Sequence, residues 1–394
     1  MKRLAILTLV FNNYGTRLQS YALCKVLQRL FPVELSIEVI NAEGSWSNRS
    51  NIINYFIIRS FKHYRLKAIG HIYEVIKFIT GKFKQIKVDH SLEIKKRNAS
   101  FEGIISKIPY SDFYTLEDIR NHKLPKYDII IVGSDQVWNG IKVGNQDVFM
   151  LDFLEGKKGL TYAASFGMTS IPRNMKADYK RRINNFDSLL IREQEGIKLC
   201  RELGRNDAHL VLDPTLLLDA SEYDELVSET SVVEGDFVLV YSLNYSYKIF
   251  DEAYQLAKKN SCKMVVLKRS FCPPNINKYK NSIELYAESP ENFLWLIKNA
   301  KCIVTNSYHA LLFSINFNRP FYLYLDNADE ENSRLITIAE MCKLTNQIYW
   351  ETGHLPSVIN KIDYTPIMDV IEGNRNQSIV LLKESVRKYL NENA

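Results

Sequence analysis

No apolar run in this chain reaches the roughly 18 to 20 residues that a membrane-crossing helix needs, so a helical membrane span is not expected. Its six cysteines, at 24, 200, 262, 272, 302 and 342, form no CxxC pair and no spacing suited to a metal or a disulfide framework. Small buried thiols in a reducing compartment are the expectation, which makes the cytoplasm the expected location. No nucleic-acid module is recognisable, and a net charge of +6 is modest for 394 residues. The opening Met1-Lys2-Arg3 and the apolar residues 4–10 mimic a secretory signal, but the apolar part is short and no small-residue cleavage site follows. A first β-strand is expected there instead.

What is present is the make-up of a globular protein: 46% hydrophobic and 24% charged residues, in a length that suits two domains. A strand at 4–10, a helix at 17–31 with Leu23, Leu27, Leu30 and Phe31 at helical spacing, and a strand at 37–40 give a β-α-β opening. Residues 127–132 read as a strand covered on both faces and ending at Gly133. Further strands are expected at 160–166, 188–191 and 210–212, with helices at 175–186 and 193–203. The alternation restarts beyond residue 235: strands at 237–243, 264–268, 302–305 and 321–325, helices at 247–259, 291–299 and 309–316, and a last helix at 378–390. This predicts an α/β protein of two Rossmann-like, doubly wound domains facing a cleft. The expected domains are 1–220 and 221–394, with the last helix packing back on the first.

Residues 49–99 interrupt the first half. Arg59, Lys62, Arg65, Lys67, Lys77, Lys82, Lys84, Lys87 and Lys95 stand there against Glu74, Asp89 and Glu93 alone, with Tyr55, Phe61, Tyr64, Phe78 and other aromatic residues threaded among them. A basic amphipathic helix of this kind lies well on an anionic bilayer or cradles a lipid diphosphate. A helical hairpin with solvated lysines fits equally well.

Candidate site residues gather where expected strands end, because loops at the carboxyl ends of parallel strands converge there and the following helix offers unpaired N–H groups. After the first strand come Asn13, Tyr14, Gly15, Arg17 and Gln19, a turn with polar groups around a helix start but without the GxGxxG of a dinucleotide fingerprint. Ser134, Asp135, Gln136, Trp138 and Asn139 supply hydrogen-bonding groups and an aromatic platform suited to sugar rings. The alternative is a capped turn with Trp138 in the core. Ser165, in Ala163-Ala164-Ser165-Phe166-Gly167, lets a ligand approach closely. Arg192 could grip a phosphate or carboxylate bidentately, or pair with Glu193 or Glu195 on the surface. His309, after Asn306-Ser307-Tyr308, is the best acid or base among seven histidines, since imidazole titrates near neutral pH and sits here at a helix start.

Taken in order, these segments resemble the polysaccharide pyruvyl transferase family: Asn13-Tyr14-Gly15, the run from Gly133 to Asn139, Ala164-Ser165-Phe166-Gly167, Arg192-Glu193, Asp213-Pro214-Thr215 and Asn306-Ser307-Tyr308-His309-Ala310. The resemblance implies a glycosyltransferase B arrangement, phosphoenolpyruvate as donor and co-substrate, and a sugar of a bacterial surface polysaccharide, or its lipid-linked precursor, as acceptor. The product would be a pyruvate ketal, with release of phosphate. By this resemblance the first domain holds the acceptor and the second the donor, with Arg192 and His309 on positions linked to the donor. Many members carry arginine and leucine directly before the histidine, where this chain has Ser307-Tyr308. Arg334 or Lys268 would then supply the missing charge.

The expected roles follow: His309 as proton donor or phosphate-activating acid, Arg192 on the anion, Asp135 orienting or deprotonating the acceptor. Neither a metal nor a cofactor is demanded. The rival expectations are a nucleotide-sugar glycosyltransferase on the same frame and a non-catalytic scaffold that recruits lipid-linked glycans, peripheral on the membrane, through residues 49–99.

Overall fold

The computed structural model describes residues 1–43, 91–243, 247–268, 276–326 and 332–392. Most of the basic segment therefore lies outside the described residues, and only its end, helix α2 (Ser91–Ala99), is in view.

Two sheets organise the chain. The first runs β3 (Tyr110–Tyr114), β2 (Leu35–Ala42), β1 (Lys2–Leu7), β4 (Ile129–Val132), β5 (Gly159–Thr161), β6 (Phe186–Ile191) and β7 (Ala208–Leu210) in spatial order. The second runs β10 (Ile283–Leu285), β9 (Lys263–Leu267), β8 (Phe237–Tyr241), β11 (Cys302–Thr305), β12 (Phe321–Leu325) and β13 (Ile348–Trp350). Among the described residues every strand pairing is parallel. Parallel sheets need helices on both faces, which is why β4, β8, β11 and β12 are buried at every position and read as continuous apolar runs.

The connecting helices include α1 (Tyr14–Leu30), α3 (Arg173–Arg182), α4 (Gln194–Glu202), α5 (Tyr247–Lys259), α6 (Pro290–Asn299), α7 (Tyr308–Asn316), α8 (Asn332–Met341) and α9 (Thr365–Glu392). Their starts follow capping chemistry. Asn13 accepts from the Gly15 and Thr16 amides, Ser289 from Asn292 with Pro290 at the first helical position, and Ser307 from Ala310.

Strand order reverses beside β1/β4 in one sheet and β8/β11 in the other, which opens a crevice at each set of carboxyl ends. One continuous core joins the lobes through Tyr14, Tyr223, Phe293 and Phe313, while a smaller cluster around Val240 and Phe250 fills the far side of the second sheet. Tyr14 of α1 stacks on Phe293 of α6 at 4.6 Å, so the lobes are locked by aromatic packing behind the crevice. Helix α9 crosses back to the first lobe: Ser378 Oγ accepts from the Leu212 amide, Arg375 donates to the Leu216 carbonyl and Tyr389 to that of Lys158.

Strands β3, β10 and β13 are missing from the sequence reading because they are short and only partly covered, and the polar Ser111, Asp112 and Glu284 break the apolar pattern in two of them. The strand expected at 160–166 stops at Thr161, since Ala163 takes a left-handed φ of +55° that ends regular pairing.

Candidate functional site

The carboxyl ends of β4, β6 and β7 bring Asp135, Arg192 and Asp213 together from the first lobe, and the start of α7 brings Tyr308 and His309 from the second. The Arg192 guanidinium is the hub. Its Nη1 donates to Asp213 Oδ2 at 2.9 Å and to Ser134 Oγ at 3.3 Å, and its Nη2 donates to Asp135 Oδ1 at 3.1 Å. Its Nε stands 3.9 Å from Glu193 Oε2. Across the seam, Arg192 Cζ lies 4.7 Å from the centre of the Tyr308 ring and Arg334 Cζ lies 5.4 Å from it. His309 Nε2 is 3.8 Å from Asp213 Oδ2, so the histidine and Arg192 share one carboxylate.

The burial of this cluster corrects one expectation about Arg192. Its side chain has no exposed surface, and its partners are the fully buried Asp213 and Glu193 and the largely buried Asp135, 15% exposed, rather than surface carboxylates. A guanidinium so enclosed is held against Asp135 and Asp213, because a buried charge persists only when paired. It is not an open anion clamp. His309 keeps 11% of its side chain exposed. Among the described residues, its Nε2, the Tyr308 hydroxyl and Glu193 Oε2 are buried without a hydrogen-bond partner. Three such atoms lie together here, and each is open to a hydrogen bond from water or a ligand.

Burial is the largest influence on His309 and lowers its proton affinity below the ordinary 6.5, Asp213 and Asp135 opposing. Burial also disfavours the Asp135 anion, yet Arg192, His309 and Arg334 outweigh it and hold that carboxyl at about 2. Asp213 is lowered against burial by His309 and Arg192. At Glu193 burial wins over Arg192 and Arg334, and the carboxyl is raised. For Arg334, burial and then the like charge of Arg192 lower its proton affinity.

The signs give a pH prediction. A histidine with a depressed folded value binds fewer protons folded than unfolded, so stability falls as pH drops from 6.5 towards that value. Asp135 adds stability above 3.8 that is lost between there and about 2, and raised Glu193 acts the opposite way, its contribution fading as pH rises through its folded value. Melting temperature in buffers of constant ionic strength should therefore fall just below pH 6.5, with a slope that His309→Gln flattens. An equal slope in the variant would mean that His309 is not the group being titrated.

Two backbone features serve the cluster. Asp135 takes a φ of +81°, a conformation that side-chain-bearing residues rarely adopt, which turns its carboxylate onto Arg192 and the Thr16 hydroxyl. Gly15 lies under the His309 ring so closely that a Cβ there would meet Nδ1 at 2.0 Å. Gly15→Ala must displace the imidazole, and a misplacement of about 1 Å can cost roughly a hundredfold in rate. The expected result is a loss of that order in kcat with a cooperative melt retained, measured by steady-state kinetics and calorimetry.

The other sequence candidates fall mainly into structural places. Asn13 caps α1, and Tyr14 is packed between Phe101 and Phe293 with its hydroxyl donating to the Glu288 carbonyl. Arg17 donates to the Tyr110 hydroxyl and to Asn12, and Gln19 to Thr8, the Thr16 carbonyl and Ser20. Ser134 donates to Asp213, and Ser165 to Glu193. Trp138 is fully buried, edge-on to Phe166 with Nε1 donating to the Phe149 carbonyl, so it offers no face to a sugar. Gln136 accepts from Asn139, which also donates to the Gly167 carbonyl. Asn306 accepts from the Leu243 amide and joins the ends of β11 and β8. Lys268 is bound to Glu284 at 2.6 Å.

The sequence reading missed Asp213 as a member of the charge cluster and offered Glu193 only as a surface partner of Arg192, whereas Glu193 is fully buried. Asp213-Pro214-Thr215 carried a signal, because an aspartate before proline caps the following turn, and here its Oδ1 accepts from the Thr215 amide while Oδ2 faces Arg192. Also missed was a cavity of about 570 Å³ between α4 and α8, lined in part by Gln194, Ser333, Thr337 and Trp350. Gln194 and Ser333 are the chain neighbours of Glu193 and Arg334.

Among the described residues, no helix is long and apolar enough to cross a membrane, and no group of three or more His, Cys, Asp or Glu side chains is placed to share a metal ion. The model of the family described as polysaccharide pyruvyl transferase matches residues 13–329. No curated protein matches the chain. Among solved structures, UDP-N-acetylglucosamine 2-epimerase from Rickettsia bellii is similar with a TM-score of 0.51 at 10% identity, over 100% of this chain and 96% of that one. UDP-GlcNAc 2-epimerase from Neisseria meningitidis gives 0.48 at 11% identity, over 98% and 100%. ADP-heptose lps heptosyltransferase II from E. coli gives 0.39 at 12%, over 96% and 99%. At such identity the likeness to the first of these is one of fold, two Rossmann-like domains in the glycosyltransferase B arrangement.

Proposed function

The chain belongs to the polysaccharide pyruvyl transferase family, and we propose on that premise that it moves the enolpyruvyl group of phosphoenolpyruvate onto a sugar, closing a pyruvate ketal and releasing phosphate. The observation that carries this reading is the meeting, across the seam, of His309 with its orphaned Nε2 and the Tyr308 ring bearing two guanidiniums.

Phosphoenolpyruvate brings a carboxylate and a phosphate. Burial and neighbouring Arg192 disfavour the charge of Arg334 while Asp135 and Glu193 favour it, and this guanidinium, beside Tyr308 at the start of the nine-residue helix α7, is the one assigned to the arriving anion. Arg192 acts one step back, holding Asp135 and Asp213 in position. His309 rests as the neutral imidazole near neutral pH, and a bound dianion raises its proton affinity and loads it with a proton.

The chemistry then balances. A proton added to the methylene carbon turns it into a methyl group and leaves the central carbon electrophilic. One sugar hydroxyl adds to that carbon, the C–O bond to phosphate breaks, and a second hydroxyl of the sugar closes the ketal. Of the two hydroxyl protons, one replaces that given to carbon and the other leaves with phosphate. His309 is placed to handle the proton, and Asp135, held ionised by Arg192, to accept from the acceptor.

The test is phosphate release from phosphoenolpyruvate supplied with lipid-linked oligosaccharides, followed by mass analysis of the acceptor. A gain of pyruvate minus water is the expected product. Protection against heat by a nucleotide sugar, with none by phosphoenolpyruvate, would overturn the reading.

A further inference from the structure

We infer that the cavity between α4 and α8 is a saccharide subsite that takes a neutral sugar ring against Trp350. The inference rests on the reading above of an enzyme that modifies a sugar, and it moves the acceptor away from Trp138 and the turn after β1.

The volume, about 570 Å³, falls inside the roughly 300 to 1,000 Å³ of small-molecule sites and is far more than a three-carbon ester fills. Its chemistry is that of a polyol site. Trp350, at the end of β13, lines the cavity and is 37% exposed, the partly open indole that the buried Trp138 is not. An aromatic face packs on the C–H face of a pyranose while its polar rim is met by other groups. Those groups are here: Thr169, Gln194, Asn332, Ser333 and Thr337 line the same space. The Ser333 hydroxyl is buried and has no hydrogen-bond partner among the described residues.

Charge decides which ligand suits the cavity. Among the described residues Glu195 and Glu340 face it with one ammonium, Lys198, which is bound to Glu195 at 2.6 Å. A lining with one more carboxylate than ammonium repels phosphoenolpyruvate or a nucleotide diphosphate. It welcomes neighbouring hydroxyls, which donate to carboxylate oxygens. Gln194 and Ser333 then carry the ring to the edge of the Glu193 and Arg334 cluster, where two of its hydroxyls meet the donor.

The experiment uses the full chain and a panel of neutral methyl glycosides, observed by saturation-transfer NMR, with phosphoenolpyruvate binding followed separately by thermal shift. Wild type is expected to bind at least one glycoside, Trp350→Ala to lose it, and Trp350→Phe to keep it. In turnover, Trp350→Ala should raise the acceptor KM roughly tenfold or more while leaving the phosphoenolpyruvate KM within about twofold, since hot-spot aromatic residues carry that share of affinity. Glu340→Gln should raise the acceptor KM in the same direction. The inference is overturned if no glycoside binds wild type, if Trp350→Ala binds as wild type does, or if phosphoenolpyruvate displaces the sugar from the cavity. Glycoside binding that depends on Trp350, without phosphate release from phosphoenolpyruvate, would sink the proposed reaction and leave the subsite standing. Phosphate release with an unchanged acceptor KM in Trp350→Ala would do the reverse.

Discussion

His309→Gln should lower kcat for phosphate release from phosphoenolpyruvate by about 10² to 10⁴, the range that a positioned acid or base supplies. Glutamine keeps a polar side chain of similar reach but cannot carry a proton to carbon. The site survives the change in other respects. Ser307 still caps α7, Arg192 still binds Asp135 and Asp213, and the Tyr308 ring still meets both guanidiniums. Donor affinity should therefore stay within a few-fold, and the melting temperature near neutral pH should not fall, because the substitution removes a buried imidazole whose Nε2 has no partner. Steady-state kinetics with a separate donor titration separate these quantities. A kcat within a few-fold of wild type, with the fold intact, would remove His309 from the chemistry.

The α/β alternation was legible because strands buried on both faces write continuous apolar runs: residues 302–305 and 321–325 were read at the bounds the structure gives to β11 and β12. Where burial is partial the signal fades, and β3, with Ser111 and Asp112 in its middle, escaped. Convergence of Arg192, Asp135 and His309 was legible for a different reason. Arg192 directly follows β6, and Asp135 and His309 come within about four residues of the ends of β4 and β11, where parallel strands deliver residues to one edge.

What the sequence could not tell was the depth of each side chain. Trp138 and Trp350 are the same residue type near strand ends, yet one is sealed by Phe149, Phe166 and Phe186 and the other lies open beside a cavity. Depth depends on packing between segments remote in the chain. Arg192 shows the same limit: the sequence offered either an anion grip or a surface pair with Glu193 or Glu195, and neither reading foresaw its enclosure by Asp213, Asp135 and Tyr308.

That enclosure makes Arg192→Met the most damaging single change to stability, with an expected cost of about 3 to 5 kcal/mol, because it strands buried carboxylates without their cation. Asp135 is held at about 2 against burial chiefly by Arg192, and Asp213 depends on the same guanidinium and on His309. Methionine fills much of the volume, so the loss is one of charge rather than of packing. Two further results distinguish this account from a general loss of fit. Adding Asp213→Asn to Arg192→Met should recover part of the stability, a coupling that a double-mutant cycle in urea reads directly. The gap between wild type and Arg192→Met should also narrow as pH falls from 7 towards 4, since the stranded carboxyls, released from Arg192, regain protons in that range and cease to be charged. A cost that is flat with pH, and additive with Asp213→Asn, would show that Arg192 is held by packing alone and that the charge cluster does not position Asp135.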